Sequence, residues 1–416
     1  MKLLHISDLH LGKSLGDFDL INDQRYILDQ ILDIADKNSV DAMLIAGDVY
    51  DKSVPSEAAT RLLNYFLNEL TKRDIKTYMI SGNHDSDERL NYGSDLFASN
   101  EVYISAIFNP EAIKSENNSD KNDSSEISTE KNTDTSEYSN CSLYHRTLAD
   151  EFGNVNIYLL PFVKASQVRH YFPDEKIENY DDAVRVIIDH ARIDRSERNV
   201  IVAHQFVAGK GADPEFGGSE SVGAINVGLV ERIGYERFDG FDYAALGHIH
   251  RPQPVGRAEV RYSGSPLKYS LSEVNNSKTA PLITLGEKGD VNIELIPLTP
   301  LRDMRHIRGT LKELLSSNDE ASKDDFIYAT LTDEEIINDA MAIFQQTYPN
   351  TVKISYDNSR TRELEKIDIA GVADNKSFDD LISDFYRLVY GCEIGDEEMA
   401  VMKMAAREAG VINEAD

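Results

Sequence analysis

The sequence is poor in cysteine, in positive charge and in long apolar runs, and each lack excludes a class of protein. Its 416 residues include only two cysteines, Cys141 and Cys392, so we expect no disulfide framework and a reducing compartment. No apolar run approaches the roughly 20 residues that a membrane-spanning helix needs. The chain begins directly with a predicted strand, so no signal peptide is expected. These features together predict a cytoplasmic protein.

The scarcity of positive charge also limits the class of partner. Lys and Arg number 43 against 73 Asp and Glu, which gives a formal net charge of -30. This balance argues against a simple basic-patch nucleic-acid binder, because phosphate contacts usually dominate affinity. It does not exclude a nuclease, since bound metal ions supply cationic charge at the scissile phosphate.

The chain is long enough for two or three domains, and its pattern changes along its length. Strands alternate with helices over residues 1–105, and apolar stripes predict helices at Asp23–Lys37 and Ser56–Thr71. This α/β alternation predicts helices packed on a sheet. Residues 111–140 are almost entirely polar and predict a disordered surface insertion in a first domain that covers residues 1–298.

The remainder of the chain predicts smaller elements. Residues 299–357 have a β-α-β-α-β pattern, which indicates a small α+β domain. Residues 358–375 are polar and predict a linker, and residues 376–416 predict a pair of C-terminal helices.

Five short polar blocks each follow an apolar run that is typical of a buried strand. The blocks are Asp8–His10, Gly47–Asp51, Gly82–Asp85, Ala203–Gln205 and Gly247–His250. Strands of one sheet end side by side, so we expect the blocks to converge. They offer carboxylates, one amide and five imidazoles, a set that suits two adjacent divalent cations. Two-metal sites are a common device for displacement at phosphorus.

The spacing within the blocks suggests how the residues share metal ions. In an extended segment residues i and i+2 point to the same side, so Asp8 and His10 can bind one ion together, and so can His248 and His250 if they are extended. Asp48 has two carboxylate oxygens and can bridge two ions.

Three further residues of the blocks suit metal coordination, proton transfer and the orientation of the catalytic group. Asn83 offers a neutral carbonyl oxygen. His84 suits proton donation or transition-state stabilisation, and Asp51 is interpreted as the carboxylate that orients it. Each block alone also has a structural interpretation, such as a turn at Gly82-Asn83 or a helix cap at Asp51. All five blocks in order at strand ends make coincidence a poor explanation.

A phosphate-binding loop is excluded by the residues around Lys13. The segment Leu11–Ser14 ends in Gly-Lys-Ser, but position 7 is Ser where a P-loop requires Gly. We therefore expect no ATP site in this chain.

The blocks resemble the calcineurin-like metallophosphoesterase superfamily, whose pattern is D-x-H, G-D-x-x-D, G-N-H-D, a lone H and G-H-x-H. Longer phrases resemble one branch, the SbcD nuclease family of bacterial DNA break repair. They are LHISDLHLGKS, AGDVYDKSVPSEAA, ISGNHDSDERL, ALGHIHRPQPV and YSGSPLKYSLSE. The resemblance implies a metallophosphoesterase β-sandwich flanked by helices, followed by the α+β capping domain and the helical pair.

The resemblance also implies roles for individual residues. One metal falls to Asp8, His10, Asp48 and His250, and the other to Asp48, Asn83, His204 and His248. His84 corresponds to the catalytic histidine. The metals would be Mn²⁺ by the family, although the ligand types alone allow Mn, Fe or Zn.

The implied function is that of a DNA nuclease subunit, with 3′-to-5′ double-strand exonuclease and hairpin endonuclease activity in DNA repair, recombination and replication. Its implied partners are an SbcC-type ATPase at the C-terminal helices and a second copy, giving a homodimer within a heterotetramer. Basic residues in or near the motif loops are candidate DNA contacts: Lys13, Lys52, Arg61, Arg89, Arg251 and Lys268. The alternatives are a small-molecule or protein phosphoesterase and a scaffold that only tethers an ATPase.

Overall fold

The computed structural model describes residues 1–110, 143–209, 213–217, 232–316, 323–359, 361–362, 378–390 and 393–408. The insertion predicted at 111–140, most of the linker predicted at 358–375 and both cysteines lie outside these residues. The chain divides into two units, Met1–Met304 and Arg305–Asp416. Among the described helices none is long and apolar enough to cross a membrane.

The strands follow in chain order. They are β1 (Lys2–Ile6), β2 (Ser14–Leu15), β3 (Phe18–Asp19), β4 (Ala42–Ala46), β5 (Lys76–Ile80), β6 (Val102–Ser105), β7 (Tyr144–Asp150), β8 (Gly153–Leu160), β9 (Arg198–His204), β10 (Val207–Ala208), β11 (Ile233–Gly234), β12 (Tyr243–Gly247), β13 (Gln253–Val255), β14 (Arg257–Tyr262), β15 (Thr279–Leu285), β16 (Val291–Pro297), β17 (Met304–Gly309), β18 (Phe326–Leu331) and β19 (Thr351–Tyr356).

The helices lie between the strands and at the end of the chain. They are α1 (Ile21–Asn38), α2 (Glu57–Lys72), α3 (Asp87–Asn91), α4 (Ser94–Ala98), α5 (Ala165–Tyr171), α6 (Tyr180–His190), α7 (Leu311–Leu315), α8 (Ala340–Gln345), α9 (Phe378–Tyr390) and α10 (Asp396–Glu408), with 3-10 turns at Tyr235–Phe238 and Leu271–Glu273. The helices predicted at Asp23–Lys37 and Ser56–Thr71 are therefore confirmed within a few residues.

The first unit is a sandwich of two six-stranded sheets. One sheet has the order β16-β15-β1-β4-β5-β6 and the other β13-β14-β12-β9-β8-β7. Their facing sides share one apolar core, to which Leu44 and Tyr78 contribute from the first sheet and Val200 and Tyr243 from the second. β1, β4 and β5 run parallel to one another in the first sheet, as β9 and β12 do in the second, so their carboxyl ends lie at one edge of each sheet. The predicted β-sandwich is confirmed.

The strands that precede the five blocks are apolar on both faces because helices cover the outer faces. In β9 every residue is buried, with Val200 and Val202 facing the sandwich core and Ile201 and Ala203 facing a second core. That second core is completed by α6 through side chains such as Ile187. Strands buried on both faces carry continuous apolar runs, which explains why the five motifs are preceded by such runs.

The convergence of the five blocks differs from the sequence expectation in one respect. β1, β4 and β5 belong to the first sheet, whereas β9 and β12 belong to the second. The expectation that strand ends of one sheet meet is therefore wrong. The blocks converge because two sheets pack face to face with their carboxyl edges at the same end.

The second unit contains the small α+β fold and the helical pair. β17, β18 and β19 form a three-stranded sheet in that order, and β18 and β19 are parallel. Phe344 of α8 is fully buried against Ile327 and Leu331 of β18. Thr310 begins α7 with a capping box that is closed by Glu313. α9 and α10 are joined to each other by the Lys403–Asp379 ion pair at 2.7 Å and by the bond from Tyr386 to Glu398 at 2.8 Å.

Candidate metal centre

The loops that carry the candidate ligands have an unusual backbone. Asp8, His10, Asp48 and His248 have φ angles of 52°, 43°, 47° and 101°, although none is glycine. L-residues rarely adopt such angles, and residues held in them cluster at functional sites. The expectation that Asp8–His10 and His248–His250 are extended is therefore wrong at these positions. Left-handed turns, not a pleated segment, direct the side chains toward one point.

Glycine next to the ligands permits a close approach of neighbouring groups. Gly47 has a φ angle of +82°, and a Cβ atom there would lie 2.5 Å from Nδ1 of His204. A side chain at Gly82 would overlap the carboxylate of Asp48. These two motif glycines are thus required by the packing of the ligands themselves.

A first group of ligands gathers around Asp8, His10 and His250. Ligand atoms of these three residues all lie within 4.8 Å of one another. Nε2 of His10 is 3.1 Å from Nε2 of His250 and 3.7 Å from the Asp48 carboxylate, and Nε2 of His250 is 3.8 Å from the Asp8 carboxylate. Asp48 therefore lies at the border of this group.

A second group shares Asp48. Ligand atoms of Asp8, Asp48 and His204 lie within 4.8 Å of one another, and Nε2 of His204 is 3.4 Å from the Asp48 carboxylate. The Oδ1 atom of Asn83 is 3.1 Å from Nε2 of His204 and 2.9 Å from Nδ1 of His248. Together the two groups contain all seven residues predicted as metal ligands.

Burial and charge set the ionisation of these groups. Burial lowers the pKa of His248 to about 3 and that of His10 well below its usual value. Burial also opposes protonation of His204, but the carboxylates of Asp48 and Asp8 raise its pKa to about 9. For Asp48, burial is outweighed by the surrounding histidines, which hold its pKa well below the usual range.

The donor atoms fit divalent metal ions. The Nδ1 of His204 lies 2.8 Å from the carbonyl of Ala46, which leaves Nε2 to face the site. The Nε2 atoms of His10 and His250 face each other at 3.1 Å, so one carries a proton that the other accepts, and a metal ion bound by both rings would replace that proton. Mixed carboxylate, amide and imidazole donors suit first-row divalent cations. Metal binding requires the unprotonated ring nitrogen of each histidine ligand and therefore competes with protons.

His84 lies at the rim of the site and is half-buried. Its backbone N–H donates to Oδ1 of Asp48 at 2.9 Å, and its ring stands edge-on to His10 with centroids 4.9 Å apart. Nδ1 is 3.1 Å from the backbone carbonyl of Asp51. Asp51 therefore contacts the His84 ring, but through its backbone carbonyl and not through the carboxylate that was expected to make this contact. The carboxylate accepts from Lys13 at 2.7 Å and lies 3.7 Å from His10.

Asp85 is a supporting residue that the sequence reasoning missed. It is buried, and its carboxylate accepts from the backbone N–H groups of Val49 at 3.0 Å, Tyr50 at 2.9 Å and Gly82 at 2.9 Å. It thereby joins the second and third motif loops. Its position directly after His84 in Gly-Asn-His-Asp was the available signal.

Glu273 and Lys278 form a buried pair behind His250, and the sequence reasoning missed them too. Glu273 is the last residue of the motif YSGSPLKYSLSE. The available signal in the sequence was this acidic residue at the end of a family motif.

The six basic residues predicted as DNA contacts do not form one free patch. Four of them form ion pairs with carboxylates: Lys13 with Asp51, Arg61 with Glu57, Arg251 with Glu215 and Lys268 with Asp303. Lys52 and Arg89 are exposed, and within the described ranges neither has a carboxylate at ion-pair distance.

A two-sheet sandwich with this ligand cluster at one edge defines a metallophosphoesterase. The chain belongs to the calcineurin-like phosphoesterase family, whose model matches residues 1–252. A second model, described as the type 5 capsule protein repressor C-terminal domain, matches residues 300–390.

The relatives refine this membership. The chain is 32% identical over 385 residues to the SbcD subunit of the nuclease SbcCD from Staphylococcus epidermidis, and the match covers 90% of this chain and 92% of that protein. It is therefore a homologue of an SbcD nuclease subunit, as the sequence resemblance indicated. Among solved structures, a dimetal phosphatase from Danio rerio matches 72% of this chain and 99% of its own with 12% identity and a TM-score of 0.35.

Proposed function

We propose that this protein is a cytoplasmic DNA nuclease subunit that cleaves phosphodiesters with two divalent metal ions. It would act as a 3′-to-5′ exonuclease on duplex ends and as an endonuclease on hairpins, in repair, recombination and replication. The observation that carries this proposal is the convergence of all seven predicted ligands around Asp48 at one edge of the sandwich. Similarity to the Staphylococcus epidermidis nuclease over nearly the whole of both chains supports the assignment.

The ligand groups suggest how the ions are shared. Asp8, His10, Asp48 and His250 would hold one ion, and Asp48, Asn83, His204 and His248 the other, with Asp48 in both sets. We propose Mn²⁺ from the family resemblance. Such ions supply charge that stabilises a phosphoryl transition state and activates water at neutral pH.

His84 is proposed as the residue that assists the leaving 3′ oxygen. Its Nδ1 is engaged by the Asp51 carbonyl at 3.1 Å, which fixes the ring and leaves Nε2 for a substrate oxygen. Its half-buried position gives access from the solvent side, whereas His10 behind it is 1% exposed. Asp51 acts through its backbone on His84 and through its carboxylate on Lys13.

The homodimer is proposed to use the helices after the third motif. Tyr92 is 85% exposed and Leu96 of α4 is 76% exposed, with Phe97 beside them at 37%. Apolar side chains so close in sequence and so exposed are typical of a surface that another chain covers. A second copy on this surface would place two metal centres on one duplex.

The C-terminal helices are proposed as the docking site of an SbcC-type ATPase. Apolar residues recur with helical spacing in the first of them: Phe378, Leu381, Ile382, Phe385, Leu388 and Val389. Phe385 is 51% exposed, and Val401 and Met404 of α10 are 58% and 55% exposed. The alternative is that the stripe packs on the α+β domain of the same chain. Truncation after Lys376 tests this: it should preserve Mn²⁺-dependent cleavage and abolish co-purification with the ATPase.

DNA is proposed to contact some of the six basic residues in the motif loops. The ion pairs of Lys13, Arg61, Arg251 and Lys268 mean that phosphate would have to replace a carboxylate at each. Lys52 and Arg89 are exposed and are the contacts that we would test first.

The decisive experiment is cleavage of an end-labelled hairpin duplex by the isolated chain with Mn²⁺, repeated with the ATPase and ATP. A nucleotide ester serves as the competing substrate. Hairpin opening that requires metal and is lost in His84→Ala supports the nuclease. Turnover of the ester without any cleavage of DNA would support the second candidate, a small-molecule or protein phosphoesterase, which the net charge of -30 favours. Absence of both activities would favour a tethering role.

A further inference from the structure

A buried carboxylate lies directly behind one of the proposed metal ligands. Glu273 ends the 3-10 turn Leu271–Glu273 and is 0% exposed. Its Oε1 atom is 3.6 Å from Nδ1 of His250, and the same oxygen accepts from the backbone N–H of Tyr269 at 3.2 Å. The turn and Tyr269 thus fix this oxygen on the side of the imidazole that faces away from Asp8 and His10.

A buried lysine neutralises the carboxylate. Nζ of Lys278, 5% exposed, donates to Oε2 of Glu273 at 2.5 Å, to Oγ of Ser265 at 2.8 Å and to the backbone carbonyl of His250 at 2.9 Å. A buried ion pair usually contributes little net stability, because desolvation offsets the attraction. The pair therefore calls for a role besides folding, and both of its members contact His250.

We propose that Glu273 is a positioning residue that orients His250 for metal binding. With Nδ1 held toward Glu273, the ring presents Nε2 to the site, where it lies 3.1 Å from Nε2 of His10 and 3.8 Å from the Asp8 carboxylate. Lys278 keeps the charge of Glu273 from adding to the negative charge of the ligands and holds the His250 backbone. This inference rests on the proposed metal centre.

The physical basis is the carboxylate–imidazole–metal relay. At 3.6 Å the Glu273 oxygen is at ion-pair and not hydrogen-bond distance from Nδ1, so it acts on the ring through its charge. A carboxylate on this side of the ring favours the tautomer with the proton on Nδ1 and raises the basicity of the ligand nitrogen Nε2. Loss of such a partner typically costs about 10–100-fold in metal affinity. Because His250 is the ligand that Glu273 contacts, the effect should fall on the ion held by Asp8, His10, Asp48 and His250.

The test is calorimetric titration of the metal-free full chain with Mn²⁺. Glu273→Gln, which keeps the size and removes the charge, should weaken one of the two binding events about tenfold or more and leave the other unchanged. The matched control is Asp242→Asn. Asp242 is also buried and paired with a lysine, Lys288 at 2.7 Å, but it lies at the opposite end of β12 from the metal centre, about 17 Å away at ~3.3 Å per residue. This control should leave both events unchanged.

A double variant separates positioning from charge balance. If Glu273 only neutralises Lys278, the pair Glu273→Gln with Lys278→Met should bind Mn²⁺ like the wild type, which would overturn the inference. Weakening at one site that exceeds the weakening in Lys278→Met alone supports it, because that single variant already removes the bond from Lys278 to the His250 carbonyl. Partial recovery in Glu273→Asp supports it too. Unchanged affinity at both sites in a folded Glu273→Gln, checked by metal-free melting, would also overturn it. A wild-type chain that binds no Mn²⁺ would instead overturn the metal centre itself.

Discussion

Replacement of His84 by alanine separates chemistry from metal binding. In the structure His84 has two conceivable roles, because its ring belongs to a group with His10 and Asp51 whose ligand atoms lie within 4.8 Å. As a metal ligand it would share an ion with His10. As a proton donor it would face the substrate and leave the metals to the other seven residues. Its Nδ1 contact with the Asp51 carbonyl and its position at the rim favour the second role.

The expected size of the effect follows from the proton-transfer role. A positioned general acid contributes about 10²–10⁴-fold to a rate, which corresponds to roughly 3–5 kcal/mol of activation free energy at 1.36 kcal/mol per tenfold. His84→Ala should therefore reduce kcat for hairpin cleavage by at least about 100-fold. The bond from the His84 backbone to Asp48 at 2.9 Å survives the substitution, so the loop should keep its shape.

The assay measures metal content and cleavage on the same preparation. Elemental analysis after Mn²⁺ loading and removal of free metal should find two ions per chain in both wild type and His84→Ala. His204→Ala is the contrasting variant, since a proposed ligand is then missing. Loss of one ion from His84→Ala would refute the reasoning and make His84 a ligand. Retention of both ions with undiminished kcat would refute the catalytic role.

Four further results are expected. His204→Ala should weaken binding of one Mn²⁺ by more than the roughly 10–100-fold typical of a supporting residue, as measured by calorimetry; equal affinity would remove His204 from the ligand set. Deletion of Glu116–Glu137 should leave the melting temperature and cleavage nearly unchanged, because so polar a segment has too little apolar surface to offset its ordering entropy; a large drop in melting temperature would show that it packs on the domain. Duplex binding by the isolated chain should be weak and should fall steeply between 50 and 200 mM salt (about the range over which phosphate contacts are lost), as followed by fluorescence anisotropy; tight, salt-independent binding would contradict this. Asp181→Asn should destabilise the chain at pH 7: burial opposes ionisation of Asp181, but Arg237 and the N–H of Gly234 lower its pKa. The folded pKa is the lower one, so this stability is present above the unfolded pKa of about 3.9 and is lost as pH falls through the folded value. The gap in melting temperature between the wild type and Asp181→Asn should therefore stay nearly constant down to about pH 5 and narrow below about pH 4; a gap that widens there would contradict the sign.

The sequence by itself determined the local elements and the chemical inventory of the site. A short, continuous apolar run such as AMLIAG is typical of a buried strand. The helical spacing of the apolar residues from Leu62 to Leu70 predicts the buried face of α2. The seven proposed ligands and His84 were recognised because carboxylate, amide and imidazole groups occur in short motifs after such strands, and the family resemblance divided them into ligands and a catalytic histidine. Apolar spacing and motif composition are properties of short stretches of the chain, so the sequence alone is enough to recognise them.

The tertiary structure alone decided how these residues meet. Two sheets supply the strand ends because they pack face to face. The membership of each sheet depends on pairings between segments that are distant in the chain, such as β1 with β15. Asp8 and Asp48 have a left-handed backbone, which is energetically unfavourable for residues other than glycine. The surrounding structure imposes this conformation, so the residue types do not predict it. The partners of His84, Asp85 and Glu273 are likewise set by contacts up to 36 positions apart in the chain, because burial forces each polar group to find an acceptor or donor wherever the fold provides one.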